Sequence, residues 1–466
     1  MPKYSKVTPE IKSKLEHIVG KENVSTTPED IEKYSVDESP LEPHPPEIVV
    51  KPFSTEEVQG ILKLANEFKV PVTPMGSRTG LSGASHPVFG GIALSLERMN
   101  RIIEIDEDNL MATVEPCVLI SEVHEATEKL GLYYPPDPGQ ESGSIGGNIS
   151  TNAGGMRAMK YGVTRDFVNG LEVVLPTGEV IELGGKNVKD STGYSLIDLI
   201  IGSEGTLGVV TKAILRLIPK PKYTSLIYAP FNSTIDAANA VKEIITRKIL
   251  PFGLEYMPRH TVLTVEKYLE KKLPDDTYPA YLIVAVEADT KEELNRQLET
   301  AGEICLDMGA VDAYIADTAQ RQQQIWEARK AVFDAYLAMY TLDEADVCIP
   351  RSRIPEYIER ADSIGSKYGV VLAPVGHAGD GNLHYNILKP DEVSDEAWPE
   401  LMESALSELL EMSLEMGGTL SGEHGLGYTK RGYLVREAGV KQVELMKSVK
   451  AAFDPNDILN PGKVWV

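Results

Sequence analysis

Hydrophobic positions first recur at helical spacing in TPEIKSKLEHIVG, where Ile11, Leu15, Ile18 and Val19 share one face. Thr8 stands there as N-cap, Pro9 occupies the first turn and Gly20 is the stop. A second helix opens at STEEV, with Ser54 and Glu57 at capping-box spacing, and leads into the short strand VPVTPMG. From there to about residue 218 the pattern becomes short β-type runs broken by glycine-rich loops: GGIALSL, RIIEID, MATVEP, LEVVLPTGEVIEL and GVVTKAILRLI. This region reads as α+β with many short strands.

Around Pro219 and Pro221 the character changes again, which predicts a domain boundary. A strand at TSLIYAPF, a helix at STIDAANAVKEIITRK, strands at PFGLEYM and PAYLIVAVEA, a helix at TKEELNRQLETAGEICLDMG and a strand at VDAYIAD follow. That order, β-α-β-β-α-β, is the ferredoxin-like arrangement. A helix near 320–340, the run VCIP, the helix IPEYIERADSIGSKYG, a histidine-bearing hairpin and the helix EAWPELMESALSELLEMSLEMG predict an extended antiparallel sheet covered by helices. The chain then finishes with SGEHGLG, the basic pair Lys430 and Arg431, and FDPNDILNPGKVWV.

Composition narrows the class. A chain of 466 residues, 42% hydrophobic and 25% charged, has room for two or three domains with proper cores. No apolar run approaches the roughly 20 residues of a membrane span, and the N-terminus lacks the apolar centre of a signal peptide, so a cytoplasmic location is expected. Cys117, Cys305 and Cys348 are too few and too scattered for a disulfide framework or a cysteine zinc motif. A formal charge of -24 argues against nucleic acid or an anionic membrane as partner.

Three loops of the first domain concentrate small residues: PMGSRTGLSGAS at 74–85, PPDPGQESGSIGGNISTNAGG at 135–155 and GSEGTLGVV at 202–210. Glycine lets backbone N–H groups converge on an anion, while Ser, Thr and Asn add donors, so together the loops suit a diphosphate and a planar ring. Each loop alone also reads as a tight turn. No Walker pattern occurs, and no Rossmann fingerprint stands between a strand and a helix, which disfavours a nucleotide triphosphatase or an ordinary NAD dehydrogenase.

The stretch VGHAGDGNLHYNI at 375–387 reads as a hairpin bent at Gly379, Asp380 and Gly381. Leu383, Tyr385 and Ile387 alternate with Asn382, His384 and Asn386, so one face is apolar and the other carries ligand-type side chains. Folding back would bring His377 and His384 to one end of the sheet. Solvated turn histidines and a metal pair both fit this stretch by itself.

The three loops, in this order and spacing, resemble those of the vanillyl-alcohol oxidase and p-cresol methylhydroxylase superfamily of FAD proteins. The C-terminal half resembles its FAD-linked 2-hydroxyacid dehydrogenases, the branch of D-lactate dehydrogenase and the glycolate oxidase flavin subunit. The resemblance runs from about residue 40 to NPGKVWV. It implies an α+β fold: a two-part FAD-binding domain over 1–220 (core about 40–218), a ferredoxin-like antiparallel-sheet cap domain over 221–416, and a C-terminal return segment over 417–466.

It also implies a cofactor site. In the first loop this is Pro74, Gly76, Ser77, Arg78, Thr79, Gly80 and Ser82. In the second it is Pro138, Gly139, Ser142, Ser144, Gly146, Gly147, Asn148, Thr151, Asn152 and Gly154. In the third it is Gly202, Glu204, Gly205, Thr206 and Val209, with Asn460 of the tail added. Ser77 and Arg78 stand where relatives often carry glycines. The first loop holds no histidine before His86, where superfamily members with covalent flavin often have one, so non-covalent FAD is expected.

Positions matching His377, His384 and Glu423 coordinate a divalent metal in the resembling family, and the position matching His424 is the general base. Two imidazoles and a carboxylate suit zinc, manganese or ferrous iron. Arg329, in a Trp-x-x-Arg pattern, matches the arginine that binds the substrate carboxylate. A lysine that some relatives carry just before ADVCIP is absent, Glu344 and Asp346 standing there, which favours lactate or glycolate over a larger diacid. The activity implied is oxidation of a small 2-hydroxy acid, D-lactate first and glycolate second. Electrons would leave to a protein acceptor, an electron-transfer flavoprotein or an iron-sulfur subunit. A flavin-binding electron-transfer subunit and an alkylglycerone-phosphate-synthase-like enzyme are the competing readings.

Overall fold

The computed structural model describes residues 4–466, which divide into two compact units. The first holds residues up to 154, then 163–220 and 423–466; the second holds 155–162 and 221–422. The short segment 155–162, which nothing in the sequence sets apart, therefore goes with the second unit. The return to the first unit comes at Glu423, six residues beyond the position expected from the resemblance (417 to 423).

In the first unit, helix Pro9–Val19 starts where Thr8 accepts a hydrogen bond from the Ile11 amide, and it buries Ile11, Leu15 and Val19. Helix Thr55–Phe68 starts at Ser54, whose hydroxyl accepts from the Glu57 amide (3.3 Å). The Glu57 carboxylate reaches one residue further back than a capping box requires, to the Phe53 amide (2.7 Å). This helix packs Val58, Ile61 and Leu62 into a core with Ile48, Val50, Val72, Ile92 and Leu94. Those strand residues belong to a four-stranded sheet in which Ile48–Val50, Ile92–Ser95 and Val72–Met75 run parallel.

A second, five-stranded antiparallel sheet is built in the order Ile102–Asp106, Met111–Val114, Val209–Arg216, Val168–Val174, Val180–Gly184. The C-terminal tail joins the first sheet: Val72 donates to the Ile458 carbonyl (2.8 Å) and Asn460 to the Val72 carbonyl (2.7 Å). Lys450, buried on the helix Leu434–Phe453, ties this tail down through the carbonyls of Leu459 and Thr206 (both 2.8 Å).

The second unit is built on one seven-stranded sheet. Its first four members lie in the order Tyr314–Ile315, Tyr223–Phe231, Ala280–Ala288, Gly253–Pro258. By position in the chain that is fourth, first, third, second, the ferredoxin-like order. Strands Val371–His377, Asn382–Leu388 and Leu342–Cys348 extend the sheet beyond Gly253–Pro258. A helix unforeseen in the sequence, Arg259–Leu269, lies between the second and third strands. The whole is α+β, with an antiparallel sheet as the base of the second unit. Among the described residues, no helix is long and apolar enough to cross a membrane.

Candidate functional site

The three glycine loops of the first unit meet around one hollow. The first loop leaves strand Val72–Met75 and runs against the second: the Ser77 amide donates to the Ser144 hydroxyl (3.3 Å), which also accepts from the Gly147 amide (3.3 Å). A Cβ on Gly76 would lie 2.2 Å from that hydroxyl, and one on Gly146 would lie 2.7 Å from the Pro116 Cβ, so the backbones approach only because both are glycine. The third loop is braced to the second by the Gly202 amide on the Ile149 carbonyl (2.9 Å) and the Glu204 amide on the Ser150 carbonyl (2.8 Å).

Of the residues expected at the cofactor, Pro74, Gly76, Ser77, Arg78, Thr79, Gly80 and Ser82 line the hollow from the first loop. Pro138, Ser144, Gly146, Gly147, Asn148 and Thr151 do so from the second, and Glu204, Gly205, Val209 and Asn460 from the rest. Gly139, Ser142, Asn152, Gly154, Gly202 and Thr206 are not part of the lining. Ser142 donates to Gln140 (3.0 Å), Asn152 accepts from the Arg165 amide (3.0 Å) and Thr206 donates to the Ser203 carbonyl (2.7 Å). Pro116 and Leu96 also line the hollow, although no motif marks them.

The lining suits a nucleotide cofactor. Asn148 Nδ2 and Asn460 Oδ1 are buried there with no hydrogen-bond partner in the described protein, one a donor and the other an acceptor. Burying both costs stability unless a ligand satisfies them. His86 stands apart from the lining, buried against Asp37 (3.0 Å) and His44 (3.2 Å).

Glu423 and His424 lie on the wall of the same hollow. Their turn is fixed from the loops: Ser82 Oγ donates to the His424 carbonyl (3.0 Å), and the Glu204 carboxylate accepts from the amides of Leu426 (3.0 Å) and Gly427 (2.7 Å). Gly425 and Gly427 adopt positive φ (80° and 50°), which lets this turn close on Glu204. Burial pushes the Glu204 carboxyl up from its ordinary range, against the pull of those two amides and of Lys463.

The second unit gathers polar side chains on one face of its sheet, and the strand register dictates which. Val375 pairs with His384, and His384 pairs with Asp346 on the other side. His377 is two residues from Val375 and Glu344 two from Asp346, so all four polar groups project together. Tyr256 pairs with Gly376, which puts its neighbour Glu255 on that face as well. Leu383, Tyr385 and Ile387 point the other way, where the Tyr385 ring meets Tyr357 at 5.3 Å.

The imidazoles of His377 and His384 lie 5.5 Å apart and perpendicular. His377 Nδ1 meets both Glu255 oxygens (3.0 and 2.9 Å), and His384 Nδ1 meets Glu344 (3.2 Å). Arg329, on helix Ala319–Lys330, donates to the same Glu255 through Nε and Nη2 (2.8 Å each). Burial raises the Glu255 carboxyl, but His377 and Arg329 outweigh it and hold the group below the usual range. Sequence reasoning passed over Glu255; the signal was a lone carboxylate inside the apolar strand PFGLEYM, which is stable there only if paired.

Comparison with known proteins adds the family. Residues 46–184 match the FAD binding domain, and residues 220–464 match the C-terminal domain of FAD linked oxidases. The chain is 40% identical to a D-lactate dehydrogenase of Anaerostipes hadrus, over 99% of this chain and 98% of that one. It is 40% identical to the glycolate oxidase subunit GlcD of Bacillus subtilis, over 98% and 97%. Among solved structures, 4-ethylphenol oxidase from Gulosibacter chungangensis superposes with a TM-score of 0.79 at 20% identity, covering 97% of this chain and 96% of its own, a likeness of fold. With its glycine-lined hollow in the one unit and its antiparallel sheet in the other, the chain belongs to the FAD-linked oxidases and is a flavin-dependent oxidoreductase.

Proposed function

We propose that the protein oxidises a small 2-hydroxy acid to the 2-oxo acid, D-lactate ahead of glycolate, with FAD held non-covalently. The observation that carries this reading is His424 on the wall of the hollow that the flavin loops surround. The two relatives at 40% identity, named for D-lactate dehydrogenase and glycolate oxidase, support the substrate class.

FAD, when held by these loops, would supply the hydride acceptor for the substrate Cα. His424 takes the hydroxyl proton on its imidazole, the side chain most often used as a general base. Its turn is held by Ser82 and Glu204, so the ring is presented from fixed backbone. The residues assigned to a divalent metal are His377, His384 and Glu423. The donor set fits: both histidines offer Nδ1 to a carboxylate, the arrangement that leaves Nε2 as the metal-facing nitrogen. Such an ion, zinc, manganese or ferrous iron, would lower the pKa of the substrate hydroxyl. Arg329 is assigned the substrate carboxylate, Nη1 being the edge that Glu255 does not take. Electrons then pass to a protein acceptor, an electron-transfer flavoprotein or an iron-sulfur subunit.

Anaerobic titration of the FAD- and metal-loaded protein with D-lactate, L-lactate and glycolate, followed at the oxidised flavin band, tests the reading. Bleaching by D-lactate at the lowest concentration supports it. A flavin that none of the three acids bleaches sinks the small-hydroxyacid assignment.

A further inference from the structure

We infer that Glu255 is a positioning residue that fixes the tautomer of His377 and so presents its Nε2 to the metal. The inference deepens the metal assignment above and rests on it. No motif points to Glu255. It sits on strand Gly253–Pro258, fully buried, and its carboxylate meets His377 Nδ1 through both oxygens while accepting two donors from Arg329.

The hydrogen on His377 follows from these contacts. With the proton on Nε2, the Nδ1 lone pair would face two carboxylate oxygens at 2.9 and 3.0 Å, which is repulsive. With the proton on Nδ1, the contact is a charge-assisted hydrogen bond, and the lone pair lies on Nε2. Arg329 Nη2 also stands 3.5 Å from the same Nδ1, but the carboxylate oxygens at 2.9 and 3.0 Å are the closer partners, and Arg329 gives its own two donors to Glu255 at 2.8 Å. One carboxylate thus holds both the ring assigned to the metal and the guanidinium assigned to the substrate. The same arrangement recurs at His384 with Glu344, at the looser distance of 3.2 Å.

A carboxylate behind a ligating histidine raises the basicity of the ligand and removes its rotational freedom, and losing it typically weakens metal binding 10- to 100-fold. Glutamine at this position still offers a carbonyl oxygen to Nδ1–H, so it retains part of that effect, while alanine retains none.

The test is cobalt(II) affinity of the FAD-loaded full chain, measured by competition with a chromogenic chelator, for wild type, Glu255→Gln, Glu255→Ala and His377→Ala. The expected order of affinity is wild type, Glu255→Gln, Glu255→Ala, with Glu255→Ala weakened about 10- to 100-fold and flavin content unchanged. Should the alanine variant fail to fold, selective 15N-histidine spectra of the metal-free wild type decide, because they report directly which His377 nitrogen carries hydrogen. Wild-type affinity retained in Glu255→Ala, or hydrogen found on Nε2, overturns the inference while leaving the metal assignment intact. A wild-type protein that binds no cobalt more tightly than His377→Ala does removes the metal assignment, and the positioning role with it.

Discussion

Asn460 and Glu204 are joined by a 2.7 Å hydrogen bond from the Asn460 Nδ2 to the Glu204 backbone carbonyl, and a second bond runs from the same nitrogen to Ala84 at 3.0 Å. Two carbonyl acceptors settle the orientation of the amide, so Oδ1 is the end presented to the flavin hollow. The C-terminal tail therefore supplies an acceptor among loops otherwise rich in donors.

Asn460 has φ of 41°, which glycine adopts without strain, so Asn460→Gly isolates the side chain. Losing the Oδ1 acceptor together with the two Nδ2 bonds to Ala84 and Glu204 should weaken FAD binding at least tenfold, or ~1.4 kcal/mol. Quenching of FAD fluorescence on titration with the apoprotein measures it. Affinity equal to wild type would show that Oδ1 makes no bond to FAD.

Gly146 tests the cradle by volume. Its added Cβ would meet the Pro116 Cβ at 2.7 Å and the Pro116 carbonyl at 3.0 Å, and backbone cannot swing away as a flexible side chain can. Gly146→Ala should cost about 1–3 kcal/mol of stability and lower FAD occupancy, whereas alanine at Gly432, which has open space around it and no positive φ, should leave FAD binding near wild type. Thermal melts with and without added FAD separate the two effects.

Much of this architecture is written in local signals, and the rest depends on tertiary context. Thr8 and Ser54 announce helices because capping is a matter of three residues. The hairpin at His377 and His384 is legible from its glycines and its alternation. The helix Arg259–Leu269 is not, because its buried face carries Thr261, Val262, Thr264 and Val265, residues with strand character. The glycine loops reveal the hollow but not which residues face it, as Asn152 and Thr206 are not part of the lining. Glu255 shows in the sequence only as a lone carboxylate in an apolar strand, because its partner His377 is 122 positions away and only strand register brings them together.

Lys463 gives the stability an alkaline signature. Burial brings its ammonium down to about 7, against the attraction of Asp37 and Glu204 and with the help of Arg431. An unfolded lysine titrates near ~10.4, so between about pH 7 and that value the unfolded chain binds the extra proton, and stability must rise with pH. Below pH 7 both states are protonated and the cost of the buried charge is fully present. Lys463→Met should flatten the rise. Urea unfolding at a series of pH values from 7 to 9.5 measures the slope; equal slopes in the two proteins would contradict this account.

Lys450 is the opposite case, a buried lysine completely engaged. Its ammonium bonds the carbonyls of Thr206 and Leu459 and the Asp454 carboxylate, and so fastens the final helix to the third loop and to the tail. Lys450→Met leaves two buried carbonyls without their donor and the Asp454 carboxylate with only the amides of Ile458 and Leu459, with an expected loss of about 3–5 kcal/mol. Lys450→Met combined with Asp454→Asn should recover part of it, since the uncompensated charge is then gone. Denaturant midpoints for the single and double variants decide, and a double variant no more stable than the single would place the loss in the carbonyl contacts.

His424 carries the chemical reading, so its removal must affect the reaction more than the cofactor. The Ser82 bond falls on the His424 backbone carbonyl, and the two amides held by Glu204 belong to Leu426 and Gly427. His424→Gln therefore leaves the turn and the flavin loops in place. If the imidazole accepts the substrate proton, flavin reduction by D-lactate in anaerobic stopped flow should slow by roughly 10²- to 10⁴-fold, with FAD content unchanged. A parallel drop in FAD content would mean that the ring shapes the hollow, and a rate close to wild type would move the proton to another group.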